Sequence, residues 1–263
     1  MSRQNYYQRR RSRQRQEVEG ELVVALVQAE RQIQPRLGGR KVHHLVRAAL
    51  AEGGVALGRD RFFAVLRAAG LLLARKPAAF PSTTDSTHYL PVFKNLIKDV
   101  VVSQPNEVWV ADLTYLRTKA GFIYLSLVTD KYSRKIVGYH CGETLAAVGC
   151  VAALELGLAG LPVGCQPIHH SDRGSQYCCH EYVQRLAAGG LAVSMTEQQH
   201  CAENALAERV NGILKSEYGL DQEFENKESA KLAVDQAIDL YNTRRPHMSL
   251  QLRTPEMVHS MAV

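Results

Sequence analysis

The sequence predicts an α/β chain in which a three-layer core follows a small helical domain. Three consecutive β-branched and aromatic runs, at residues 107–118, 122–130 and 135–144, give way to alternating helix and strand patterns. Upstream, apolar residues instead recur at spacings of three and four. Between the two regimes lies PAAFPSTTDSTH, residues 77–88, whose prolines and Ser/Thr cluster mark a boundary.

At the start of the chain Arg3, Arg9, Arg10, Arg11, Arg13 and Arg15 crowd together with no acidic residue among them. Their mutual repulsion predicts an extended arm until a polyanion neutralises it, so residues 1–35 read as a basic arm and helix. From 36 to 76 the pattern is a helix pair. Val42, Leu45, Val46, Ala49 and Leu50 form one apolar face ended by Gly53-Gly54, and Phe62, Val65, Leu66 and Ala69 form another ended by Gly70. The short connector VALGRD makes this a candidate helix-turn-helix unit, with Arg59, Arg61 and Arg67 beside the DNA backbone. A plain helical hairpin with solvated arginines has the same pattern. Residues 77–100 read as linker, 101–222 as the α/β core and 223–263 as a C-terminal helix and tail.

Within the core the strand runs are parted by Lys119-Ala120-Gly121 and by residues 131–134, which suggests antiparallel neighbours. Next come the helical stretch LAAVGCVAALELGLAG, the short strand PIHH, a helix over 175–188, the strand LAVSM and a long helix over 202–218. A last helix over 228–241 leads into NTRRPHMSLQLRTPEM.

Composition narrows the function. The chain of 263 residues is 46% hydrophobic, enough for one sizeable core and a satellite domain. No run approaches the length of a membrane span and no apolar segment follows the N-terminal arginines, so a cytoplasmic protein is expected. Six cysteines without CxxC spacing argue against a zinc knuckle or a disulfide framework. His43-His44 has no cysteine partner before Cys141, so no zinc is expected. Charge is asymmetric: residues 1–78 hold 16 Lys+Arg against 6 Asp+Glu, a surplus of 10, while the remainder is net acidic. A basic front half joined to an acidic back half suits a protein that grips a polyanion and performs metal-assisted chemistry.

Three carboxylates stand out. Asp112 interrupts an apolar run and shares a face with Val108, Val110 and Thr114 by strand alternation, where desolvation is costly unless a cation or donor meets it. Asp172 follows the strand at 167–170, the end at which α/β sheets place their sites, although a turn or helix-capping role fits too. Glu208 shares a helical stripe with Asn204, Asn211 and Lys215, opposite Leu206, Val210 and Ile213; a solvated helix face explains the stripe equally well. Taken jointly they form an all-oxygen set suited to two Mg²⁺ or Mn²⁺ ions and to in-line phosphodiester displacement. Lys215, Arg244, Arg245 and His247 are candidate contacts to DNA phosphates.

The segments VWVADLTYLRT, HHSDRGSQY, ENALAERVNGILKSEY and YNTRRPHMSLQLRTPEM, with GGRKVHHLVRAAL and RDRFFAVLRAAGLLLARK upstream, resemble the Asp-Asp-Glu transposases of bacterial insertion sequences, relatives of retroviral integrases. The resemblance is to the catalytic second-frame product of two-frame elements. Between Asp172 and Glu208 lie 35 residues, the family spacing, and Lys215 stands where the family carries a basic residue. The resemblance implies an RNase H-like core with a mixed five-stranded sheet, catalytic and metal-binding roles for Asp112, Asp172 and Glu208, cleavage at terminal inverted repeats and strand transfer into target DNA. It also implies oligomers on DNA and fusion to an upstream-frame DNA-binding protein. Glu203 and Arg209 depart from the family, which usually has Asp and a small polar residue there. Two other readings share features with this one: a non-catalytic DNA-binding repressor, and a nuclease acting on RNA–DNA hybrids, which leaves Lys215 and the helix pair unexplained.

Overall fold

A computed structural model describes residues 3–74, 89–197 and 203–261. They divide into two compact units, Met1–Ala78 and Ala79–Val263. In the first unit, α1 (Arg3–Ile33), α2 (Gly39–Glu52) and α3 (Arg59–Ala68) enclose Val23, Val27, Val42, Val46, Leu50, Phe62 and Leu66. Gly54 and Gly70, with φ of 72° and 67°, end α2 and α3 in the left-handed region that glycine adopts without strain. His43 bonds the Leu57 carbonyl and packs on Phe62.

The N-terminal arm departs from expectation. Instead of extending, it continues α1 as one helix, with Arg3, Arg9, Arg10, Arg11, Arg13 and Arg15 all exposed. Arginine and glutamine are good helix formers, and extending a helix already nucleated by its packed half avoids the nucleation cost. The Arg15–Glu19 pair, one turn apart, adds to this.

The second unit is built on a sheet of order β3-β2-β1-β4-β5. Its strands are β1 (Val108–Thr118), β2 (Gly121–Asp130), β3 (Ile136–Gly142), β4 (Ile168–Ser171) and β5 (Ala192–Met195). β1, β2 and β3 pair antiparallel as expected, while β4 and β5 run parallel to β1. A sixth strand, β6 (Glu223–Phe224), pairs with the far end of β1. Two residues carry no readable alternation, so only five strands were expected.

Alternation along β1 divides the core. Trp109 and Ala111 face α4 (Ala147–Ala159), α5 (Ser175–Cys178) and α6 (His180–Ala188). Leu116 faces α7 (Ala205–Tyr218) and α8 (Lys227–Thr243). α4 is apolar apart from Glu155 and lies close on β3: a Cβ on Gly138 would stand 2.0 Å from the Ala153 carbonyl oxygen. The helix expected over 175–188 is broken at Cys179, which is extended (φ −68°, ψ 152°). On an unbroken helix Tyr177 and Tyr182 would point about 140° apart; the break lets both bury in one core.

Residues 77–88 of the expected linker lie outside the described residues, and its later part is packed on the core: Ile97 is buried, and Leu96 N–H donates to Ser194 Oγ at 2.8 Å. The expected tail is packed as well. The Asn242 side chain bonds both N–H and C=O of Ile136, and α9 (Pro255–Ser260) brings His259 to Ser133. No helix among the described residues is long and apolar enough to cross a membrane.

Candidate active site

β1 is the middle strand of the main sheet, and Asp112 lies in its α7-facing row between Val110 and Thr114. Its Oδ1 accepts the Leu113 N–H at 2.9 Å and its Oδ2 accepts from Asn211 Nδ2 at 2.8 Å. The carboxyl is pushed up to about 7, first by burial and then by the charges of Asp172 and Glu208; the Asn211 bond opposes the rise. Three elements distant in sequence therefore direct negative charge at one locus.

Asp172 directly follows β4 and is half-buried. Its Oδ1 accepts the Gly174 N–H at 3.0 Å, so it also shapes the turn into α5. The turn role weighed for it is thus present in the geometry. Glu208, in the first turn of α7, is exposed. Among the described residues no group of three or more His, Cys, Asp or Glu side chains is drawn together closely enough to hold a metal ion. The carboxylates sense one another without forming a closed ligand cluster.

The stripe on α7 is not a solvated face. Asn204 and Asn211 are buried, and the stripe runs along β1 as three polar rungs. Asn204 Nδ2 donates to the Ala111 carbonyl at 3.0 Å, Asn211 to Asp112, and Lys215 Nζ to Thr114 Oγ1. Burial lowers the pKa of Lys215 while the Asp112 charge opposes that shift, which puts the ammonium group on the carboxylate side of the sheet. Asn211 was legible in the sequence as a member of the stripe; its bond to Asp112 was not, because stripe membership does not reveal which strand residue lies opposite.

Glu203, the longer acid at a position where Asp is usual, accepts from Asn95 Nδ2 at 2.9 Å and from the Glu197 N–H. Its carboxylate thereby fastens residues 95 and 197. Arg209 is exposed.

The remaining basic candidates scatter. Arg245 is a correction: it is 3% exposed and makes two bonds of 2.8 Å to the Glu217 carboxylate, so its guanidinium is committed inside the fold and does not present itself to DNA. His247 is buried against Tyr241, whereas Arg244 is exposed. In the first unit Arg59 pairs with Asp60 and Arg61 with Glu19, both at the surface, and Arg67 is exposed.

Residues 102–201 and 189–255 each match an integrase core domain. Over 219 residues the chain is 38% identical to the insertion element IS600 uncharacterized 31 kDa protein of Shigella sonnei, covering 81% of this chain and 80% of that protein. The chain belongs to the insertion-sequence transposases of the retroviral-integrase superfamily. Within that family it is 34% identical over 186 residues to the transposase for insertion sequence element IS629 of Shigella sonnei. It is equally identical, over the same length, to the transposase InsF for insertion sequence IS3fB of Escherichia coli K12. These alignments cover 70% of the chain and 61% and 64% of the two transposases, so the chain spans about three fifths of each. The fold is the RNase H-like one of retroviral integrases: a simian T-cell lymphotropic virus intasome structure superposes with a TM-score of 0.50 at 18% identity, covering 83% of this chain and 73% of that one.

Proposed function

We propose that this family member is a DNA transposase that cuts at the terminal inverted repeats of its insertion sequence and joins the freed 3′-hydroxyl to target DNA. Asp112, Asp172 and Glu208 would carry the chemistry. One observation carries the assignment: a carboxyl on the middle strand has its pKa pushed up to about 7, partly by two other carboxylates from a strand end and a helix. A buried carboxyl that also meets the charges of two other carboxylates is a candidate to hold a cation, which would favour its ionised form.

The donor set fits Mg²⁺ or Mn²⁺ in type: three carboxylates and no nitrogen or sulfur ligand, in a locus whose excess negative charge a cation would relieve. When bound, two divalent ions would activate the attacking oxygen and stabilise the leaving one. Asp112 and Asp172 are pre-positioned by the Asn211, Leu113 and Gly174 bonds. Glu208, exposed on the first turn of α7, is the ligand that would complete the set on loading. Lys215 would hold a DNA phosphate beside the carboxylates.

The first unit would hold DNA through the exposed arginines of α1, Arg9, Arg10 and Arg11 among them, and through Arg59, Arg61 and Arg67 around the helix pair; Arg244 is a further candidate in the second unit. Residues 36–76 would be the DNA-binding region and 101–222 the catalytic region of a cytoplasmic protein that oligomerises on DNA and acts alone or fused to an upstream-frame partner.

The test is incubation of the chain with a DNA duplex ending in the element's inverted repeat, in Mg²⁺ or Mn²⁺, with strand nicking and strand joining read on a denaturing gel. Site-specific 3′-hydroxyl ends followed by joined products support the assignment. DNA binding without nicking under either ion supports a repressor, and cleavage confined to RNA–DNA hybrids supports a nuclease.

A further inference from the structure

Beyond Asp112, β1 runs to the hairpin tip with an uncovered aromatic pair. Tyr115 is half-buried, and Phe122, on the returning strand, is 50% exposed. Their rings meet edge to face, with centroids 5.2 Å apart. The register accounts for the contact: Tyr115 pairs with Tyr124 and Arg117 with Phe122, which makes Tyr115 and Phe122 diagonal neighbours on one face. Neither ring belongs to a core cluster. A phenylalanine half in water at a hairpin tip therefore adds little to the fold.

The surroundings of the pair are charged. Lys215 Nζ lies 5.1 Å from the centroid of the Tyr115 ring while it bonds Thr114. Arg117 is exposed, shares the face of Tyr115 by strand alternation, and is near enough to depress the pKa of Lys215. The aromatic pair thus sits between two cations: strand alternation turns Tyr115 away from the Asp112 row, and Lys215, bonded to Thr114 of that row, reaches its ring.

We propose that Tyr115 and Phe122 form a stacking platform for an unpaired nucleobase of the DNA end, beside the phosphate held by Lys215; this rests on the transposase reading above. An aromatic face accepts any base, and an adjacent cation takes the phosphate of the same strand. Bases inside a duplex have both faces taken by their stacked neighbours, whereas an unpaired base can swing onto a side-chain ring, so the platform favours frayed ends over paired ones. An apolar protein partner would bury two cations without compensation, whereas a nucleic acid meets both.

The experiment compares affinities of the full chain, without divalent metal, for three terminal-repeat duplexes. One is fully paired, one has two unpaired terminal nucleotides, and one carries abasic sites at those two positions. The wild type should bind the frayed end about 5- to 100-fold more tightly than its abasic counterpart, the range that stacking of one base supplies. In Phe122→Ala this preference should vanish while binding to the paired duplex is unchanged; Phe122→Trp should keep it, and so should Tyr115→Phe. Equal wild-type affinity for frayed and abasic ends, or a full preference in Phe122→Ala, overturns the platform. Those outcomes combined with normal nicking in Mg²⁺ leave the transposase reading standing, whereas absence of both DNA binding and nicking removes both proposals.

Discussion

Asn211 donates to the carboxylate of Asp112 across 2.8 Å, joining α7 to β1 over 99 residues of sequence. The bond leaves Oδ1 oriented by the Leu113 N–H, and it opposes the rise in the Asp112 pKa. In Asn211→Ala the carboxyl should therefore titrate still higher than about 7. The acid limb of the pH–rate profile for nicking should move to higher pH, with Asn211→Gln intermediate. An unshifted limb would show that Asn211 only packs.

Asp112 also makes stability depend on pH. Its folded pKa, about 7, lies above the ordinary carboxylate value of 3.8. Between these limits the unfolded chain loses a proton that the folded chain keeps, so this group lowers stability as pH rises, by up to about 1.4 kcal/mol per pH unit, and levels off above 7. The buried His169 and His170 act oppositely. Their pKa values are lowered by burial to about 3 and about 4, so stability falls as pH drops below 6.5. Denaturant titrations without metal should find Asp112→Asn more stable than wild type by a margin that grows from pH 4 to 7 and then stays constant. A margin independent of pH would contradict this account.

Much of the fold was legible because its signals are local. The strands β1 to β3 follow from β-branched alternation, and α2 and α3 from apolar periodicity and glycine stops. What escaped depends on distant partners. The break at Cys179 follows from where Tyr177 and Tyr182 must both bury, and β6 exists only because the end of β1 is there to pair with it. The arginine arm was misread because charge repulsion was weighed above helix propagation from a packed half. At the candidate site, the three carboxylates were singled out by residue type and spacing. Arg245 was misassigned because an arginine near the chain's end gives no local sign that Glu217, 28 residues away, encloses it.

Lys215 bonds Thr114 and lies over Tyr115, so its ammonium is fixed on the carboxylate side of β1. Lys215→Ala should weaken binding to terminal DNA and reduce the salt dependence of that binding by roughly one unit of slope. Equal slopes for variant and wild type would place the phosphate elsewhere.

Arg245 should behave as a structural residue. Arg245→Ala removes two charge-assisted bonds to the half-buried Glu217 carboxylate and should cost about 3 kcal/mol in unfolding free energy. The salt slope of DNA binding should not change in this variant. A lowered slope with unaltered stability would restore the expectation of a DNA contact.

The central claim is that three carboxylates form one metal-dependent centre, and Asp172→Asn tests it most directly. This variant keeps the oxygen that accepts the Gly174 N–H and the turn into α5, but removes the charge. Nicking of a terminal-repeat duplex in Mg²⁺ should disappear while binding of the same duplex is retained. Cleavage at the wild-type rate by Asp172→Asn would contradict the three-carboxylate centre.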